Sequence, residues 1–151
     1  MTLDRTLRNH PFTRDLNDAQ VAVLAAIASE VTFDENELVL VDGERSRSFF
    51  LLLRGSVSVE LRTANYVVSV QALGPGQVFG WSALLDDQET LFQVRAREYT
   101  TALRLDGATL QAACRRDTLL GVEVLQRALE VVAGRVRATE IRFAEMCGVR
   151  V

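Results

Sequence analysis

Residues 73–96 read LGPGQVFGWSALLDDQETLFQVRA, with glycines at the spacing of an anion-binding loop between two strands. Gly74, Gly76 and Gly80 supply backbone freedom. Ser82, Ala83 and Leu84 then open a short helix whose free N–H groups point at an anion. From Gly74 to Val94 there is no basic residue, and the loop's own charges are Asp86, Asp87 and Glu89. An anion held here rests on backbone N–H groups and the partial positive charge of a helix start, without a side-chain grip.

The same segment was weighed for catalysis. A nucleophilic Ser82 needs a base and a second glycine at its elbow, but Gly80-Trp81-Ser82-Ala83-Leu84 lacks that glycine and His10 is the only histidine. Ser82 therefore reads as a helix-start serine. Asp86, Asp87 and Glu89 read as a solvated acidic loop rather than a divalent-cation site. A metal site inside a β roll needs several converging His and carboxylate ligands, so no metal is expected. Cys114 and Cys147 have neither metal nor redox spacing and read as free thiols. The chain is expected not to be an enzyme.

With 151 residues, 48% of them hydrophobic and 25% charged, the chain suits one compact domain, placed at residues 10–147. Net charge is −3, which gives no basic field to hold nucleic acid or an anionic membrane. All 17 basic residues are Arg, and Arg45-Ser46-Arg47-Ser48, the compact basic spot, reads as a solvated strand connection. MTLDRTLRNH has no continuous apolar stretch, so it does not read as a signal peptide and a cytoplasmic protein is expected. Residues 63–85 are uncharged, but Asn65, Gln71, Gln77, Pro75 and the glycines interrupt them too often for a membrane span.

The elements that position the loop follow from periodicity. Asn17 and Gln20 form a capping box, and Val21, Leu24 and Ile27 at helical spacing predict a helix over 18–29. From about 30 to 106 the period becomes two: Leu38/Leu40, Val57/Val59/Leu61, Tyr66/Val68/Val70/Ala72, Phe92/Val94/Ala96 and Thr101/Leu103/Leu105. Phe49-Phe50-Leu51-Leu52-Leu53 is apolar on both faces and predicts a central strand. About eight short strands with turn residues between them mean a mainly β fold, a β roll or jelly roll with flanking helices. Residues 108–114 form one or two helical turns.

A long C-terminal helix over about 118–147 follows. Val122, Leu125, Leu129, Val132, Val136, Thr139, Phe143 and Met146 keep 3-4-3-4 spacing, the pattern of a coiled-coil seam. Such a helix is about 45 Å long, more than a roll of this size covers, and a parallel homodimer is expected. The alternative is a helix folded back on its own sheet, with Gly121 and Gly134 each weakening it by about 1 kcal/mol.

The ordered set resembles the catabolite-activator-type cyclic-nucleotide-binding domain. It is carried by Gly43, the 49–53 strand with Gly55-Ser56-Val57, the run Leu73-Gly74-Pro75-Gly76-Gln77-Val78-Phe79-Gly80, and Val94-Arg95-Ala96 before Ala102-Leu103-Arg104-Leu105. The resemblance implies a cassette in which a Glu after the glycine takes the ribose hydroxyl and an Arg-(Ser/Thr)-Ala takes the cyclic phosphate. Here Trp81 follows Gly80, the Arg position falls on Glu89 or Thr90, the Ser/Thr on Leu91 and the Ala on Phe92. Trp81 and Phe92 also fill volume that a nucleotide needs. The resemblance places Thr139 where the long helix reaches toward a base.

Two functions are weighed on this basis. One is a regulatory module that keeps the fold and dimer helix with its cyclic AMP contacts largely lost. The other is a sensor for a cyclic nucleotide or another small effector that signals through a protein partner. The chain stops at Val151 with no recognition helix, so direct DNA binding is not expected.

Overall fold

A computed structural model describes residues 3–43, 47–85 and 92–150. Arg45 and Ser46, and with them Asp86, Asp87, Glu89, Thr90 and Leu91, lie outside the described residues. Helices α1 (Leu3–Arg8) and α2 (Asp18–Ile27) come first, with a 3-10 turn at Pro11–Thr13 between them. Strands β1 (Ala28–Phe33), β2 (Leu38–Leu40), β3 (Ser48–Arg54), β4 (Val57–Arg62), β5 (Val67–Leu73) and β6 (Val78–Phe79) follow. After a 3-10 turn at Trp81–Leu84 come β7 (Gln93–Ala96), β8 (Thr100–Asp106), α3 (Gly107–Arg116) and α4 (Thr118–Met146).

The strands make two four-stranded antiparallel sheets, ordered β1-β8-β3-β6 and β2-β7-β4-β5. This is the jelly roll that the alternating pattern predicts. The capping box is present: Asn17 Oδ1 accepts from Gln20 N–H at 2.8 Å, and Gln20 Oε1 accepts from Asn17 N–H at 3.0 Å. Helix α2 stops at Ile27, two residues short of the expected end, because Ala28 already pairs with Leu105. Helix α1 was not expected; its apolar signal is little more than Leu3 and Leu7 at i, i+4, yet Leu7 is fully buried.

Strand β3 explains why five consecutive apolar residues are tolerated. Phe49 and Leu51 face the helical layer and pack with Leu24, Leu110 and Leu120. Phe50 and Leu52 face the roll interior with Val57, Val59 and Phe79, and the Phe50 and Phe79 rings stack at 4.8 Å. One strand thus serves two cores, and neither face meets water.

Strand β5 departs from strict alternation. Val59 pairs with Gln71 and Glu60 with Ser69, so Val70 is an extra residue in the ladder. Such a bulge puts consecutive residues on one side. Beyond it Ala72, expected to face inward, is exposed, while Leu73 is buried and Gln71 half-buried. The bulge turns Gln71 and Leu73 toward α4.

Helix α4 has two apolar faces. Leu120, Val124 and Ala128 are buried against the helical core, with Val131 packed beside them. Val122, Leu125, Leu129, Val136, Phe143 and Met146 are exposed on an adjacent face, about 100° around the helix, and Val132 and Thr139 are half-buried. The helix does fold back on its own domain, as the alternative had it, but with residues other than the seam.

Candidate functional site

The glycine-rich loop at residues 74–77 is bound tightly to β3. Leu52 N–H donates to Gln77 O at 2.9 Å, Gly76 N–H donates to Leu52 O at 3.1 Å, and Gln77 Oε1 accepts from Gly74 N–H at 2.8 Å. At Gly80 φ is +84°, and a Cβ there would lie 2.5 Å from Ser48 O, so both conformation and space demand glycine. The chain then turns into the single 3-10 turn Trp81–Leu84.

That turn faces the core more than a ligand. Ser82 and Ala83 are buried, and Leu84 packs on the helical core. Ala83 N–H, expected to be an anion donor, already donates to Gly80 O at 3.0 Å. Ala83 O accepts from Gln111 Nε2 at 2.9 Å, and Gly107 sits so close that an added Cβ would be 2.5 Å from that same oxygen. The turn is therefore locked onto the start of α3. Four residues of 3-10 helix also lack the aligned peptide dipoles that attract anions.

A cavity of about 330 Å³ lies between the inner face of α4 and the roll. Gln71 and Leu73 of β5, Gly76 and Gln77 of the turn, and Val78 and Phe79 of β6 form one wall. Arg127, Glu130, Val131, Gly134 and Arg135 form the helical wall, Pro11 and Phe12 one rim, and among the described cassette residues Trp81 lines it. Thr139, one turn beyond Arg135, is absent from this lining; its hydroxyl donates to Arg135 O at 2.9 Å.

Arg135 is the functional candidate that sequence reasoning missed. Its guanidinium carbon lies 4.3 Å from the centroid of Phe92, so Phe92 supports a cation rather than filling the cavity. Nε is buried without a hydrogen-bond partner. Burial pushes its pKa down to about 10, which leaves it charged at neutral pH. The available signal was its place in the Val124, Ala128, Val131 series on the inner face.

His10 fixes the rim. It is buried; its Nδ1 accepts from Phe12 N–H at 3.1 Å, so the ring proton sits on Nε2, which donates to Leu52 O at 3.0 Å. Burial holds its pKa below the ordinary 6.5 despite the bond to Leu52. Arg95, in the Val94-Arg95-Ala96 signature, is likewise structural: it donates to Asn36 O at 2.8 Å and to Glu60 at 3.3 Å, and Gln93 also donates to Glu60 at 2.8 Å.

Comparisons with known proteins agree with this geometry. A domain of Methylobacillus flagellatus described as cyclic nucleotide-binding superposes with a TM-score of 0.84 at 19% identity, covering 96% of this chain and 86% of the other. The regulatory subunit of a cAMP-independent protein kinase A from Trypanosoma brucei gives 0.73 at 20% identity, covering 96% of this chain and 50% of that one. A triply substituted form of that subunit, one substitution introducing an arginine, is described as bound to cAMP in its A site. In sequence, a Rhodopseudomonas palustris protein named as a potassium channel is 27% identical over 139 residues, 91% of this chain. The chain spans about a third of that relative's length, 32%. The family model described as the cyclic nucleotide-binding domain matches residues 30–117, more than half of the chain, and the chain belongs to that family.

Proposed function

We propose that the chain is a non-catalytic regulatory module of the cyclic nucleotide-binding fold, acting in the cytoplasm as a parallel homodimer joined through α4, with the usual cyclic AMP contacts largely lost. The observation that carries this is Trp81 on the cavity wall, where the family pattern has the carboxylate that accepts from ribose. The Arg position of the same pattern falls on Glu89 or Thr90. A hydrogen bond to a charged group contributes about 1.5–3 kcal/mol. Losing two or more of them at about 1.4 kcal/mol per decade turns micromolar binding into roughly millimolar or weaker. The Trypanosoma brucei subunit supports the inference that small changes in this fold decide nucleotide binding.

The dimer rests on the outer stripe of α4, where Leu129 is 66% and Phe143 67% exposed. Monomers rarely leave so continuous an apolar row in water. Calorimetry with cyclic AMP and cyclic GMP tests the loss of contacts: millimolar or weaker binding is expected, and a low-micromolar Kd overturns it. The double variant Trp81→Glu with Glu89→Arg is expected to gain cyclic-nucleotide affinity; a folded variant without gain shows the registry of the cassette to be wrong.

A second reading, a small-effector sensor that signals through a partner, is favoured by the cavity itself and by Arg135 on its wall, whose buried Nε has no hydrogen-bond partner.

A further inference from the structure

Arg135 is a half-buried cation whose buried Nε lacks a partner, and among the described residues no carboxylate forms an ion pair with it. One face of its guanidinium is covered by Phe92, which leaves the edge for an in-plane, bidentate acceptor. A partly desolvated charge with no counterion among the described residues favours an anion beside it. Arg127, the other cation on the cavity wall, is already paired with Glu123 and donates to Arg14 O. That leaves one positive charge, and Glu130 at the cavity wall repels a second negative one.

The remaining lining sets the body of the ligand. Phe12, Leu73, Phe79, Trp81 and Val131 are apolar, and Gln77 Oε1 is already engaged by Gly74 N–H. Gln71, the Nε2 of Gln77 and Glu130 are the polar groups beside this apolar surface, few partners for the several hydroxyls of a sugar. A volume of about 330 Å³ is at the small end of ligand pockets. Resting on the small-effector reading above, we propose that this cavity receives a small aryl monocarboxylate, its carboxylate on the edge of Arg135 and its ring among Phe12, Phe79 and Trp81.

Phenylacetate, its neutral amide phenylacetamide, acetate and cyclic AMP are the probes, titrated calorimetrically into the whole chain. Phenylacetate is expected to bind about tenfold or more tightly than either the amide or acetate, since one charge-assisted contact separates the first pair and the apolar body the second. Arg135→Gln is expected to abolish the preference for acid over amide. Gly134 lines the cavity and a Cβ there meets nothing within 4 Å, so Gly134→Leu is expected to lose phenylacetate while its melting temperature stays level or rises. This variant keeps the test valid if Arg135→Gln fails to fold.

Equal binding of acid and amide, no binding of phenylacetate, or its displacement by cyclic AMP at a lower Kd overturns the proposal. If phenylacetate and cyclic AMP both fail to bind while the chain remains dimeric, the ligand class falls and the regulatory module stands. Low-micromolar cyclic AMP binding removes the lost-contact reading together with the ligand class.

Discussion

The two faces of α4 carry similar residues and meet opposite surroundings. Leu120 and Val124 on the inner face are fully buried, whereas Leu129 and Phe143 on the outer face are exposed over most of their surface. Composition does not separate them; phase does, since the two series are offset by a single residue, about 100° around the helix. The inner face belongs to the fold and the cavity, and the outer face is the apolar stripe on which the proposed dimer rests. In that proposal one helix both anchors its domain and pairs with its copy, so a change at the cavity has a route to the dimer.

The largest expected effect separates the faces outright. Val124→Asp puts a charge in the core and should abolish the cooperative thermal transition seen by circular dichroism. Leu129→Asp, only five residues on, should leave that transition in place and halve the mass in sedimentation; an unchanged mass refutes the seam.

The glycines of the helix give a subtler contrast. A Cβ on Gly121 would lie 2.6 Å from Cys114 O, so Gly121→Ala should destabilise by about 1–3 kcal/mol in denaturant titration. A Cβ on Gly134 meets nothing, and Gly134→Ala should stabilise by about 1 kcal/mol. Equal signs for the two would show that α4 does not approach α3 as described.

The rim of the cavity responds to pH. The pKa of His10 is lower folded than unfolded, so its contribution is complete above about 6.5 and declines as pH falls toward the folded value. Chemical-denaturation stability should fall across that window, and His10→Gln should flatten this part of the profile. The smallest effect is Phe92→Leu, which removes the ring beneath Arg135 and should cost about 0.5–1 kcal/mol, with a larger effect on Arg135-dependent binding than on stability.

The sheets were legible because alternation, turns and the doubly apolar run at β3 all reflect burial, which sequence records directly. The capping box was legible because Asn17 and Gln20 each need the other at a spacing of three. Val70 was not: whether a strand carries a bulge depends on its partner's register, which no local pattern encodes. Arg135 was hidden for a related reason. An arginine reads as surface unless the phase of its helix against the domain is known, and the outer heptad, being the longer series, drew the reading to the wrong side. The sequence puts Trp81 in the place of the cassette carboxylate, and Trp81 lines the cavity; Ala83, read as a ligand donor, has its carbonyl held by Gln111 of α3.

The pairing of β1 with β8 has a consequence for how the chain acquires this structure. Ala28 lies opposite Leu105, and β3 joins the same strand by pairing Ser48 with Asp106. Both sheet contacts need residues brought together across more than a third of the chain, which makes ring closure the slow event and favours folding in milliseconds to seconds, by the topology trend of about that range. Helices α3 and α4 can form early by local contacts, but their inner faces have no surface to cover until β8 is captured. During synthesis the roll cannot close before residue 106 has emerged, so β3 lacks its β8 partner until about the first two thirds of the chain are complete.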